Sequence, residues 1–297
     1  MAVNNRVGIL LALLAATLWG VAGTFGQFLF QERAIDVKWM LTIRLLGSGV
    51  LLLLYGAFSP RTDLKSIWTN KKDVGQLILF SITGITAVQY TYFEAISHSN
   101  AATATILQYV GPVMIVVYLA FKNKRMPRPL EILAVILAVI GTFLLVTHGR
   151  MEQLAISKTA LFFGLAAAVS LAIYTLQPIP LLRKYGAVPV LGWGMLMGGV
   201  LSAFFRAPWE VSGIWDSGTY LATVFIVLLG TAIAFLAYLN AVRLIGGQKT
   251  SLLASAEPLS ATIMAVLWLQ VPFGTMDWIG AICIISTVFL LSRKEKP

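Results

Sequence analysis

The sequence is poor in cysteine, histidine and charge, and each shortage closes off a class of function. Its one cysteine, Cys283, lies within an apolar run, so there is no disulfide framework, no thiol metal site and no redox pair. With two histidines and no His-Glu-x-x-His, Gly-x-Gly-Asp or Gly-x-Ser-Gly, an intramembrane hydrolase and a resident metal are both disfavoured. No Gly-x-x-x-x-Gly-Lys-Ser/Thr run is present to cradle a nucleotide phosphate, and no cofactor is expected. Charged residues make up 11%, against the roughly one quarter that a water-exposed surface needs. No connecting segment is long enough for a separate water-soluble domain.

What fills the chain instead is apolar: 58% hydrophobic residues and a mean hydropathy of +0.84. This is the composition of an integral membrane protein with the lipid bilayer as its surroundings. The net charge of +10 does not call for a nucleic-acid partner, because the basic residues stand in short loops beside apolar runs, where lipid headgroups and topology explain them.

A spanning helix needs about 20 mostly apolar residues, and by that criterion the chain divides into ten runs. They cover roughly 7 to 29, 36 to 58, 74 to 97, 99 to 121, 128 to 148, 158 to 181, 187 to 206, 218 to 243, 247 to 270 and 275 to 292. The breaks carry turn residues: Ser59-Pro60, Met126-Pro127-Arg128-Pro129, Tyr185-Gly186, Gly246-Gly247 and Val271-Pro272-Phe273-Gly274. The first run is read as a retained span and not as a cleaved leader. An amino terminus in the cytoplasm puts sixteen Lys and Arg on the inner side and five outside, with Arg44 alone inside a span. By the positive-inside rule both termini are then cytoplasmic, in a cytoplasmic (inner) membrane.

Residues 84 to 145 and 230 to 291 also run in one register at an offset of 146. Gly84 matches Gly230, Tyr92 matches Tyr238, Leu107 matches Leu253, Pro112 matches Pro258, Glu131 matches Asp277, and Phe143-Leu144-Leu145 matches Phe289-Leu290-Leu291. A register held through three hydrophobic segments marks an internal repeat, which divides the chain into 1–150 and 151–297. Five spans per copy is an odd number, so the second copy enters the membrane upside down. The expected fold is thus an all-α integral membrane protein, ten transmembrane helices as two inverted five-helix repeats, with a solute site near the midplane between them.

This arrangement resembles the drug/metabolite transporter superfamily, in particular its EamA-type members. The local matches are Leu14-Ala15-Ala16-Thr17-Leu18-Trp19-Gly20, Tyr92-Phe93-Glu94-Ala95-Ile96, Ala101-Ala102-Thr103-Ala104-Thr105-Ile106 through Pro112, and Glu257-Pro258. Where family members often carry an acidic residue after the fourth and ninth spans, this chain has Lys122-Asn123-Lys124 and Gln270-Val271-Pro272. The resemblance implies secondary transport of a small organic molecule such as an amino acid, amine or drug-like compound, by alternating access. Proton coupling, uncoupled facilitation or exchange remain open, as does a monomer or homodimer.

Polar groups inside spans are costly and therefore candidates for function. Glu257 lies about ten residues into the ninth run, directly before Pro258, at a depth that suits proton coupling or pairing with a cationic solute. Gln108 and Tyr109 reach a similar depth in the fourth run. Arg44 in the second run suits a solute carboxylate, or an internal pair with Glu94 or Glu257. Gln89 and the deep aromatics Trp19, Tyr90, Tyr109, Tyr174, Trp193 and Tyr238 complete the expected solute-binding set, since their rings suit aromatic or cationic ligands. Trp39, Trp68, Trp209, Trp215 and Trp278 stand at span ends and fit an interfacial belt. The faces Ala12, Ala16, Gly20 and Gly194-x-x-x-Gly198 read as helix packing.

Overall fold

The computed structural model describes residues 2–60, 62–124, 126–148, 155–245, 250 and 253–292. Among these, helices occupy each of the ten apolar runs: α1 (Arg6–Glu32), α2 (Val37–Ala57), α3 (Lys71–His98), α4 (Ala101–Lys122), α5 (Pro129–Leu145), α6 (Lys158–Leu176), α7 (Ala187–Ala203), α8 (Ser217–Val242), α9 (Ala256–Leu267) and α10 (Thr275–Leu290). Six of them, α1, α2, α3, α4, α6 and α8, are long and apolar enough to cross a membrane, and the other four are shorter apolar helices. Of the basic residues counted for orientation, Arg61, Arg125, Arg150, Lys249, Arg293, Lys294 and Lys296 lie outside the described residues, as does Gly246-Gly247.

The helix starts are written in the sequence. Asp36, Asn70, Asn100, Ser157 and Asp216 each stand just before a helix, and each side chain accepts a backbone N–H of its first turn. These bonds satisfy donors that a helix leaves free at its beginning. At α5 and α10 an acid inside the first turn reaches back instead: Glu131 Oε2 accepts from Arg128 N at 2.8 Å, and Asp277 Oδ2 accepts from Gly274 N at 2.8 Å. The repeat-matched pair thus performs the same local task in both places.

Within the bundle, α2 packs on α7, α5 on α10, α1 on α8 and α9, α3 on α6 and α7, and α4 on α6 and α9. Small residues allow the close crossings. Ala12 and Ala16 are fully buried, and a Cβ added to Gly20 would lie 2.7 Å from the Glu257 carbonyl oxygen of α9. Gly194 faces Ile85 and Gly198 faces Thr86, both on α3. Large apolar side chains such as Leu10, Leu79, Val139, Phe162 and Leu221 point outward and are well exposed, as a surface solvated by lipid requires.

Two helices widen midway. α3 is π-helical over Phe80–Thr86 and α8 over Phe225–Ile233. Such wide turns are uncommon and re-aim the side chains and carbonyls around them. Ser81 Oγ of α3 donates to Gly194 O in α7 at 2.7 Å, while Ser48 Oγ of α2 donates to Val227 O in α8 at 3.1 Å.

The two ends of the bundle differ. At one, called the Arg33 end, Arg33 pairs with Asp216 at 3.0 Å, Trp39 Nε1 donates to Pro208 O at 2.9 Å, and Ile214 N donates to Arg33 O at 2.8 Å. There too, Gln31 Nε2 donates to Ser99 O at 2.8 Å and Gln27 Oε1 accepts from Ala101 N at 2.9 Å. At the opposite end, called the Lys184 end, the short helix Ile179–Tyr185 brings Lys184 and Tyr185 onto Asp73, each at 2.5 Å.

Candidate functional site

The site is built outward from a proline. Pro258 has no N–H, so the carbonyl of Ala254, four residues back, loses its helical donor. Tyr109 of α4 supplies a replacement. Its hydroxyl lies 2.8 Å from Ala254 O and 3.1 Å from Glu257 Oε2, so one phenolic proton serves both acceptors. The residue that loosens α9 therefore also brings α4 to it, at the turn where Glu257 emerges.

Opposite stands Arg44 of α2, with a relative exposure of 7%. The wide turn of α8 lets Thr231 Oγ1 donate to Ile226 O, five residues back, at 2.8 Å. That commits the threonine proton and leaves its oxygen free to accept from Arg44 Nε, also at 2.8 Å. The guanidinium carbon sits 4.9 Å from the centre of the Phe93 ring. A threonine and an aromatic face hold the cation by one edge and one side, and neither neutralises it.

Between these anchors lies a narrow chamber of about 130 Å³ where Arg44, Gln89, Tyr92, Gln108 and Glu257 meet. It shares Trp19, Gln108, Leu171, Tyr174, Phe235 and Glu257 with a larger cavity of about 530 Å³. The larger cavity continues past Pro178, Leu182, Ala187 and Val242 toward the Lys184 end. None of the lining residues of either space comes from the connections tied together at the Arg33 end. Its walls are aromatic: Trp19 lies 5.2 Å from Phe235 and 5.3 Å from Tyr238, and Phe80 stacks on Tyr174 at 5.6 Å. A cavity of about 820 Å³ between α4, α5 and α6 is larger, but apart from two threonines and Tyr118 its lining is apolar. It includes the exposed Val139 and Tyr118, and nothing there fixes the orientation of a polar solute.

Of the residues expected from sequence, the structure brings together Trp19, Arg44, Gln89, Gln108, Tyr109, Tyr174, Tyr238 and Glu257. It places two elsewhere. Tyr90 follows Gln89 by one residue, a rotation of about 100° on a helix, and turns into a lateral groove with Lys38, Thr86 and Phe205. Trp193 is near the start of α7, where its indole N–H needs an acceptor and takes Leu64 O at 2.9 Å, with its ring edge-on to Trp68 at 5.1 Å. Neither lines the central space.

Arg44 lines the chamber beside Glu257 and its Nε donates to Thr231, while Glu94 lies 3.5 Å from His98 on its own helix. Sequence reasoning missed Tyr92, Phe80, Phe235 and Leu171 as lining residues. For Tyr92 the signal was present, because it is the repeat partner of Tyr238.

Relatives of this chain match it over most of its length. An uncharacterized inner membrane transporter of Salmonella typhimurium, YicL, is 39% identical over 99% of this chain and 97% of its own length. A probable terminal-alkyne amino-acid exporter of Streptantibioticus cattleyicolor is 28% identical over 75% of this chain and 74% of its own. A crystallised protein superposes with a TM-score of 0.64 over 98% of this chain and 96% of that one, at 18% identity, which is a likeness of fold alone. The EamA-like transporter family matches twice, over residues 6–147 and again over 158–293, so this multi-pass membrane protein is a member of that family.

Proposed function

We propose that this transporter carries a small zwitterionic organic solute, of the amino-acid kind, across the cytoplasmic membrane by alternating access. The observation that carries the reading is the joint lining of one central chamber by Arg44 and Glu257. A cation and a carboxylate facing a shared space suit a ligand bearing both charges, and the aromatic cavity beside them suits an apolar side chain. The exporter from Streptantibioticus cattleyicolor, whose name refers to an amino acid, lends support.

Alternating access is supported by two features. The cavity reaches from mid-bundle to the Lys184 end only, while the Arg33 end is tied by ion pair and backbone bonds. The helix contacts are also exchanged in pairs when α1 to α5 are swapped for α6 to α10: α1 on α8 becomes α6 on α3, and α1 on α9 becomes α6 on α4. Such an exchange supports two inverted five-helix halves, 1–150 and 151–297, as does the double family match. With both termini cytoplasmic, the Lys184 end faces the cytoplasm. Glu257 is the group we assign to proton coupling, and the ammonium of the solute competes for it.

Counterflow in proteoliposomes tests the reading. Saturable exchange of an amino acid that survives removal of the ion gradient identifies a carrier. Glu257→Gln is expected to slow net, proton-driven transport about tenfold or more and to flatten its pH dependence. Wild-type pH dependence in that variant would remove the coupling role.

A further inference from the structure

Gln89 stands in the narrow chamber with its carbonyl oxygen unused. The side chain is nine-tenths buried, at 8% relative exposure, and among the described residues Oε1 has no hydrogen-bond donor. Buried polar atoms are nearly always paired, so an unused acceptor on a residue that lines a cavity is available to a donor brought there. The neighbouring hydroxyls and Arg44 Nε are engaged. Thr105 Oγ1 donates to Ala101 O at 2.7 Å, so the Tyr92 hydroxyl, 2.8 Å from Thr105, gives its proton to that oxygen. The Tyr109 hydroxyl serves Ala254 and Glu257, and Arg44 Nε serves Thr231.

We infer that Gln89 reads the N–H groups on the cationic end of the solute, so the chamber accepts a primary or secondary ammonium and rejects a quaternary one of equal charge. Glu257 balances the positive charge and Arg44 receives the carboxylate. Gln89 Oε1 accepts one ammonium hydrogen. An N-trimethylated zwitterion keeps both charges and the same side chain, and has no hydrogen to offer. It seals Oε1 against methyl groups, which costs far more than an equal change in apolar bulk. The rings of Trp19 and Tyr238 attract methylated and unmethylated cations alike, which leaves Gln89 as the discriminating group.

This inference rests on the zwitterion reading of the cavity, and the test separates the two. Melting temperature and competition binding are measured on the purified full chain in detergent. The probes are L-phenylalanine, L-methionine and L-leucine, each beside its N-trimethyl derivative. The expected result is that at least one amino acid binds about tenfold or more tightly than its N-trimethyl form. Gln89→Leu, close in size but without an acceptor, then brings the two forms within a few-fold, and Gln89→Glu, which keeps an acceptor oxygen, restores the preference. Equal binding of the two forms by the wild type, or full discrimination retained in Gln89→Leu, overturns the role of Gln89 and leaves the zwitterion site standing. If all three amino acids fail to bind the wild type, the zwitterion reading falls and this one with it. Should Gln89→Leu not fold, Gln89→Met makes the same comparison.

Discussion

α4 and α9 are matched in sequence and each carries a proline that frees a carbonyl four residues earlier, yet only α9 presents a carboxyl to the cavity. The difference lies in where each crossing keeps its smallest residue. Where α9 crosses α1 the glycine belongs to α1: a Cβ on Gly20 would lie 2.7 Å from Glu257 O, and α9 is left free to carry a long side chain. Where α4 crosses α6 the glycine at the matched position belongs to α4, and a second, Gly164 of α6, lies against Leu107. A Cβ on Gly111, the repeat partner of Glu257, would meet Ala168 O at 3.0 Å and Leu171 Cδ2 at 3.1 Å. One half uses the position for packing and the other for chemistry. A repeated scaffold can therefore hold an unrepeated site.

The harshest way to break this comparison is to force chemistry onto the packing half. Gly111→Glu drives a charged side chain into the backbone of α6, and overpacking of that kind costs about 1–3 kcal/mol before the buried charge is added. We expect loss of the monodisperse folded protein on size-exclusion chromatography. Recovery of folded protein would mean the α4–α6 crossing has slack.

Removing the cation that faces Glu257 comes next. Arg44→Leu leaves the carboxylate alone in an apolar chamber, and amino-acid counterflow is expected to fall about a hundredfold, on the scale of 2–5 kcal/mol for breaking a buried charge pair. The double variant Arg44→Leu/Glu257→Leu should regain thermal stability but not transport. If Arg44→Leu alone transports normally, the two charges do not act together.

A milder change sharpens the comparison by testing the proline repair. Tyr109→Phe removes the one hydroxyl shared by Ala254 O and Glu257 Oε2, leaving a buried acceptor unpaired at about 1–3 kcal/mol. The expected readout is a lower melting temperature with transport reduced and not abolished. An unchanged melting temperature would show that Ala254 O has another donor.

The smallest effect concerns the tied end. The Thr219 backbone and side-chain hydrogen bonds hold the Asp216 carboxyl below the usual carboxylate range, with Arg33 adding to them. Because the folded value is depressed, its contribution is present above the unfolded carboxylate range and is lost as pH falls through the folded value. Arg33→Ala should therefore lower the melting temperature slightly at pH 7, by an amount that shrinks as pH falls below the ordinary carboxylate range, as exposed ion pairs are weak. A difference that persists at acidic pH would assign the tie to the backbone bond between Ile214 and Arg33.

Much of this was legible before any coordinates. Apolar runs of the right length located the ten helices, because a chain this short of charge must hide its backbone bonds inside helices. Depth along each run singled out Glu257, Gln108 and Tyr109, since rise per residue converts position into height. Rotation about the helix axis was less legible. Gln89 and Tyr90 are neighbours of equal depth, and only the packing of α3 against α2, α6 and α7 decided that the amide faces the chamber and the phenol a lateral groove. Trp193 misled because depth was counted from the edge of an apolar run, while the segment around Leu64 lies against α7 and offers it Leu64 O.

Composition and spacing thus sufficed for what depends on the chain's encounter with lipid: helical class, number of apolar segments, and the repeat. These follow from transfer energies that add residue by residue along the chain. The pairing of Arg44 with Thr231, the replacement donor from Tyr109, and the unused oxygen of Gln89 depended on tertiary structure. The first two join partners 187 and 145 residues apart, the third is a side-chain direction set by neighbouring helices, and short-range periodicity carries no record of either.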